Sequence, residues 1–337
     1  MSTKNIYIYS PSSAVRDKSA FTRGIRRLKA LGHQVEVDVD ARRSHMRFAG
    51  DDATRVATIS RAAASGADVA LISRGGYGLT RILPQLPYDA IAKSIEQGML
   101  WVGLSDFTAL QMGLMAHQQR QHAQTDTSIQ GFGLGAVTWA GPALGEDFGA
   151  DPALGSDDSP LPDDIMEACF EDLLSGQGEG AGWRVAPTNR GDVSIENATL
   201  WGGNLSVLVS LIGTPHLPQV DDGVLFLEDV NEHPFRIERM LTQLLHSGVL
   251  GRQRAVVLGQ FNRYTLAKGH DRGYNLNTVV AWLRSQLAGE TTAGTTGCAV
   301  KVFTGLPFGH VPTKVLLPVG RTVDFMVQGR DALLFWD

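Results

Sequence analysis

One serine in this chain combines the residue type and the local pattern expected of a nucleophile. In Trp101-Val102-Gly103-Leu104-Ser105-Asp106-Phe107-Thr108-Ala109-Leu110 an apolar run breaks at Gly-x-Ser and resumes with helix-like spacing. A strand-to-helix bend of this kind pushes the Ser105 hydroxyl outward, with the next backbone N–H groups and the positive helix end close by. The competing reading is an N-cap, the commoner role of a serine at such a junction. A hydroxyl attacks only when a base within reach takes its proton, and an imidazole titrating near neutrality suits that task. His310, in Pro307-Phe308-Gly309-His310-Val311, lies in a turn between apolar strands, where a polar ring needs a reason to be. His33, His45, His216 and His270 read as loop residues. His117 and His122 are placed after the helix that follows Ser105, and His246 falls in the last turns of another helix. A carboxylate on the far ring nitrogen would fix the tautomer, and Leu227-Glu228-Asp229 offers two. Strand alternation puts Phe226 and Glu228 on one face and Asp229 on the other, so only one of the pair can face the histidine. The glycines of Arg74-Gly75-Gly76-Tyr77-Gly78 follow another predicted strand. They permit exposed N–H groups which, with the N–H of Asp106, would form an oxyanion hole; a plain tight turn is the alternative.

Two other constellations compete for the chemistry. Glu228-Asp229-Val230-Asn231-Glu232-His233 carries donors for a divalent cation but lacks H-E-x-x-H spacing and thiolates. Glu232 and His233 before Pro234 fit better as the N-terminus of a helix with Pro234 in its first turn. No metal and no cofactor are therefore expected. Gly131-Phe132-Gly133-Leu134-Gly135-Ala136 formally matches G-x-G-x-x-A, yet Val137-Thr138-Trp139 reads as strand or loop instead of the helix that should receive a pyrophosphate.

The elements that must position these residues alternate. Strands are predicted at Ile6 to Ser10, Gln34 to Val39, Asp68 to Ser73 and Met99 to Leu104, with helices at Ser19 to Leu31 and Asp52 to Ser65. Such alternation with apolar strands predicts an α/β fold, a doubly wound, mostly parallel sheet that gathers ligands at the strands' carboxyl ends. Gly75-Gly76 and Ser105 both lie at such ends. The stretch 142–182 is acidic and rich in Gly and Pro, and reads as a linker between an N-terminal domain, 1–141, and a C-terminal domain, 183–337. Within the latter, helices are predicted at Leu205 to Ile212 and Pro234 to Leu250. Strands are predicted at Val224 to Glu228, Ala255 to Leu258, Ala299 to Phe303, Val315 to Val319 and Thr322 to Val327. The 337 residues suffice for two cores, and a net charge of -5 leaves no basic footprint for nucleic acid. Cys169 and Cys298 are far apart and read as reduced. No signal peptide or membrane-spanning run is visible, so a cytoplasmic location is the expectation.

Six ordered segments carry a family resemblance: Ser10-Pro11-Ser12, Arg74-Gly75-Gly76-Tyr77-Gly78, Gly103 to Leu110, Gly202-Gly203-Asn204-Leu205, Leu227-Glu228-Asp229-Val230 and Gly309-His310. Together the chain resembles the LD-carboxypeptidase family of serine peptidases, which also includes the microcin C immunity proteases. The resemblance implies a Ser-Glu-His triad that removes the terminal D-alanine from a murein tetrapeptide. Ser105 would be the nucleophile, His310 the base and then acid, Glu228 its orienting group, and the N–H groups of Gly76 and Asp106 the oxyanion donors. It implies a C-terminal domain of swivelling β/β/α type and a homodimer. Arg74, Gly75, Tyr77 and Asn204 are expected at the substrate, Arg74 as a partner for a carboxylate. Where relatives commonly have His-Gly-Pro after the nucleophile helix, this chain has Ala140-Gly141-Pro142, and 118–133 and 145–164 look expanded. Those departures bear on which substrate is cleaved, with a peptidyl-nucleotide analogue as the alternative. A binding protein in which Ser105 only caps a helix is the reading from another class.

Overall fold

The computed structural model describes residues 2–124, 135–156, 158, 160–186, 192–267, 269–288 and 299–336. Two compact units emerge, and the chain passes between them more than once. Residues up to 178 form the first together with Pro312–Val319, and 179–311 with 320–336 form the second.

In the first unit β1 (Asn5–Tyr9), β2 (Gln34–Val37), β3 (Val69–Ile72), β4 (Leu100–Gly103) and β5 (Thr138–Ala140) run parallel in the order β2-β1-β3-β4-β5. The strand Leu317–Val319 adds antiparallel to β5 and completes six strands. β3 is buried along its whole length, as a strand covered on both faces must be. Its helices are α1 (Lys18–Ala30), α2 (Asp52–Ala64), α3 (Leu79–Ile82), α4 (Tyr88–Glu96) and α5 (Phe107–Gln124). Asp17 caps α1 through the Ala20 N–H and Asp51 caps α2 through the Thr54 N–H. The first three turns of α5 are buried on every side, so it is a core helix and not an amphipathic one. His117 and His122 lie within it.

The stretch read as a linker is folded over most of its length. A π-helical turn at Leu144–Phe148 leads to α6 (Asp164–Ser175), which starts at the Asp163 cap and ends at Gly176 with φ +73°. Phe170 of α6 meets Phe148 edge to face at 5.1 Å, His33 reaches Glu171 at 2.7 Å, and Arg27 pairs with Glu167. Of the acidic residues that suggested a linker, Asp163 caps this helix, Glu167 is buried against Arg27, and Asp147 is buried in the π-helical turn. The returning segment is also bound: Thr313 donates to Asp163 at 2.6 Å, and buried Lys314 meets buried Asp147 at 2.5 Å.

The second unit holds a seven-stranded sheet. Its strands are β6 (Gly180–Arg184), β7 (Val193–Asn204), β8 (Val224–Val230), β9 (Ala255–Asn262), β10 (Lys301–Thr304), then, after β11 (Leu317–Val319) of the first unit, β12 (Thr322–Gln328) and β13 (Asp331–Phe335). The order is β10-β9-β8-β7-β12-β13-β6, parallel from β10 to β7 and antiparallel beyond. α7 (Leu205–Ser210), α8 (Pro234–His246) and α9 (Leu276–Leu287) complete it. His233 is the N-cap of α8 with Pro234 at its first position, as expected.

Candidate active site

Ser105 belongs to the first unit. It sits between β4 and α5 with φ +65°, a left-handed conformation that costs a side-chain-bearing residue about 1–3 kcal/mol and persists where the surroundings enforce it. Gly103 makes the bend possible, because a Cβ there would lie 2.6 Å from the Phe107 ring. Gly75 packs directly on the serine: a Cβ there would stand 2.7 Å from Ser105 Cβ and 3.1 Å from its Oγ. Gly76 has φ +110°, and a Cβ on it would stand 2.3 Å from Ser13 Oγ. Among the described residues neither the Gly76 N–H nor the Asp106 N–H has an intramolecular acceptor. Backbone N–H groups without an acceptor of their own are the donors an oxyanion needs.

The Asp106 side chain has a second task that the sequence pattern did not reveal. Its buried carboxylate accepts from Ser12 Oγ and, at 2.9 Å, from the Leu79 N–H. Burial pushes this carboxyl above its ordinary range, and the Ser12 and Leu79 bonds hold against that. Ser13 likewise accepts from the Tyr77 N–H at 3.0 Å. The turn 76–79 is thus tied to the chain after β1 on one side and to the elbow on the other. Tyr77 is 47 % exposed, with its ring 5.9 Å from Phe48 and the Arg47 guanidinium 5.6 Å above it. Arg74 is held loosely, donating to the Ala14 carbonyl at 3.3 Å and standing 3.7 Å from Glu146.

Glu228 and His310 meet in the second unit. His310 Nδ1 and Glu228 Oε2 are 2.8 Å apart, and Glu228 is fully buried. Glu228 does not end its strand, since β8 runs on to Val230, and the register against β9 shifts between Leu227 and Asp229. Alternation along β8 puts Glu228 on the same face as Phe226, the side on which the Phe308 ring packs, and Gly259 on β9 leaves room because a Cβ there would stand 2.5 Å from the Phe308 carbonyl oxygen. The histidine's loop is pinned by Gln260 N–H to Phe308 O at 2.8 Å, Asn262 Nδ2 to His310 O at 2.8 Å, and the Phe226–Phe308 edge contact at 5.4 Å. Gly309 has φ +137°, and a Cβ on it would press on Glu228 Oε2 at 3.1 Å.

Asn204, expected at the substrate, is only 4 % exposed and bonds inward. Its Nδ2 donates to Glu228 Oε1 at 3.2 Å and Asp229 Oδ1 at 3.0 Å, while its Oδ1 caps α7 through the Val207 N–H at 3.1 Å. Burial, then the neighbouring Glu228 charge, raises the Asp229 carboxyl to about 6. His233, part of the candidate cation cluster, instead pairs with Asp271 at 2.9 Å. Gly131 to Leu134 of the glycine motif, and Cys298, lie outside the described residues, and Cys169 is a free thiol. Among the described residues no helix is long and apolar enough to cross a membrane.

Comparison with known proteins places both halves in one family. Residues 6–123 match the LD-carboxypeptidase N-terminal domain and 197–325 its C-terminal domain. A carboxypeptidase-named protein of Streptomyces coelicolor is 30% identical over 276 residues, 81% of this chain and 74% of its own. A probable murein peptide carboxypeptidase of Bacillus subtilis is 27% identical, covering 91% of this chain and 84% of its own. Muramoyltetrapeptide carboxypeptidase from Oxalobacter formigenes superposes with a TM-score of 0.80 at 37% identity over 99% of both chains. The microcin C7 self immunity protein MccF shares the fold, with a TM-score of 0.77 at 20% identity over 100% of this chain and 97% of its own. A mostly parallel sheet and a mixed one, a strained serine after β4 and domain matches on either side of 178 agree: this chain belongs to the LD-carboxypeptidase family, a family of serine peptidases.

Proposed function

We propose that this protein is a serine carboxypeptidase that releases the terminal D-alanine from murein tetrapeptide through an acyl-enzyme. Ser105 attacks the carbonyl before the last residue, and His310 takes its proton. The N–H groups of Gly76 and Asp106 hold the oxyanion. The tetrahedral intermediate collapses as His310 passes the proton to the leaving amine; water then attacks the acyl-enzyme with His310 again as base. Glu228 holds the imidazole with Nδ1 protonated and offsets the imidazolium charge. Arg74 supplies a cation for a substrate carboxylate, and Tyr77 an exposed ring at the same turn.

The observation that carries this reading is the 2.8 Å contact between His310 and a fully buried Glu228. A buried carboxylate is costly unless it is paired, and this one is spent on the ring of a turn histidine. Mass spectrometry of murein tetrapeptide before and after incubation tests it: loss of one alanine is expected, and an uncut peptide overturns it. Cleavage of an aminoacyl sulfamoyl nucleotide instead would assign the same triad to the microcin type of substrate. A serine-directed reagent should label Ser105, which a mere helix cap would not allow. A homodimer in the cytoplasm completes the proposal, with light scattering as the check on its mass.

A further inference from the structure

The peptide that joins Gly78 to Leu79 is gripped at both ends by buried charges. Its carbonyl accepts from the Arg55 guanidinium at 2.7 Å, and its N–H donates to the Asp106 carboxylate at 2.9 Å. Two residues earlier the Gly76–Tyr77 peptide is anchored too, its N–H donating to Ser13 Oγ at 3.0 Å. Gly76 itself holds φ +110°, which glycine adopts without strain, and its own N–H has no intramolecular acceptor.

Arg55 is 0 % exposed and Asp106 1 %. Arg55 reaches the turn only because residue 78 is glycine: a Cβ there would stand 2.7 Å from Arg55 Nη1 and 2.8 Å from the Phe48 ring. The guanidinium lies 4.7 Å from the centre of that ring, donates to the Pro11 carbonyl at 3.4 Å and pairs with Asp52 at 2.6 Å. Asp106 is fixed in turn by Ser12 Oγ. Charges taken out of water are costly, and these two converge on a single peptide.

Asp106 supplies one oxyanion donor from its backbone, while its side chain reaches across to the turn that carries the other. By charge alone a carboxylate on this residue opposes a developing oxyanion. Its value must therefore lie in what it holds. We propose that Asp106, through its carboxylate, and Arg55 are positioning residues for the oxyanion hole. They fix the Gly78–Leu79 peptide and so hold the Gly76 and Asp106 N–H groups at a set spacing before substrate arrives. This rests on the peptidase reading given above, and adds to it two side chains that act on the rate without touching substrate.

Charge and positioning predict opposite signs for Asp106→Asn, which keeps the backbone N–H and nearly the same shape but removes the anion. Ser12→Ala loosens the same carboxylate with both buried charges kept, and Arg55→Lys keeps the cation but loses the planar fork. Each full-length variant is assayed with murein tetrapeptide and with a fluorophosphonate, whose phosphoryl oxygen needs the same donors when Ser105 attacks. Loss of one oxyanion donor costs about 10²–10³-fold in kcat, so loosening the pair should cost about 10- to 100-fold in Asp106→Asn and about 3- to 10-fold in the other two. KM should stay within about twofold, because the donors are used fully only in the transition state. Labelling of Ser105 by the fluorophosphonate should slow by a similar factor. A kcat that is unchanged or raised in Asp106→Asn, or a loss that falls on KM, overturns the proposal; an Arg55→Lys enzyme as fast as wild type overturns the part given to Arg55. Should Asp106→Asn fail to fold, Ser12→Ala decides by the same criteria. If the tetrapeptide is left uncut, yet Ser105 is labelled and Asp106→Asn slows the labelling, the positioning pair stands and the murein reading fails. Equal cleavage with and without the Asp106 charge keeps the peptidase and ends the positioning pair.

Discussion

Replacing Gly75 by alanine tests whether the elbow and the glycine turn act as one device. The added methyl would stand 2.7 Å from Ser105 Cβ and 3.1 Å from Oγ, where carbon atoms in contact prefer about 3.5–4.0 Å. Something must therefore yield by about 1 Å. Gly75 has no left-handed φ, so alanine does not strain its own backbone, whereas Ser105 already sits at φ +65° and has little freedom to adjust. A misplacement of about 1 Å at a reacting atom costs on the order of 100-fold, or about 2.7 kcal/mol of transition-state stabilisation. Overpacking should cost about 1–3 kcal/mol of stability as well. The assay is release of D-alanine from the tetrapeptide, with thermal unfolding measured in parallel. A Gly75→Ala enzyme that stays folded and works within threefold of wild type would refute the reasoning, because the serine would then not depend on the glycine's missing side chain.

The other predictions concern single groups. Ser105→Gly should abolish turnover yet stabilise the fold by about 1 kcal/mol, since glycine occupies positive φ without penalty; a lower melting temperature would contradict the strain. Glu228→Gln should lower kcat by about 10³–10⁴-fold with the protein still folded, because the histidine loses the partner that fixes its tautomer; a loss below tenfold would remove Glu228 from the triad. Asp229, raised to about 6 from 3.8, binds its proton more tightly folded than unfolded. Its contribution to stability is complete below pH 4 and lost as pH rises through 6, a fall of about 3 kcal/mol. Denaturant melts of Asp229→Asn across that window should show a flatter dependence than wild type. Lys314→Met should destabilise by about 3–5 kcal/mol by leaving Asp147 buried without its cation, a loss that adding Asp147→Asn should partly recover in a double-mutant cycle.

The elbow was legible because its signal is local. The contrast between an apolar strand and a helix pattern is complete within 101–110, and the strands preceding it came out within a residue or two at most ends. Of the two carboxylates at 228 and 229, alternation showed that only one could face the histidine. Which one depends on the face against which the loop of Phe308 and His310 packs, and that loop lies outside the strand's own sequence. The bonding of Asn204 was hidden for the same reason: its helix-capping and carboxylate bonds join β7 to β8, and no spacing rule reports a cross-strand network. Helix α6 was hidden by composition, since Met166, Phe170, Leu173 and Leu174 form an apolar stripe among acidic neighbours. Strand β6, with glycine at 180 and 182, has little intrinsic preference for its conformation and is held by pairing with β13, which follows it by most of the second unit.

The return of residues 312–319 to the first unit bears on how a ribosome can deliver this fold. Until residues 314–319 have been made, β5 lacks the neighbour that closes its outer edge, and Asp147 lacks its ammonium. A nascent or truncated product ending near 178 therefore exposes an open strand, the template by which chains stick to one another. Cutting the gene at the apparent domain boundary should yield an aggregating fragment, while a fragment fused through a short loop to 312–319 should remain dispersed.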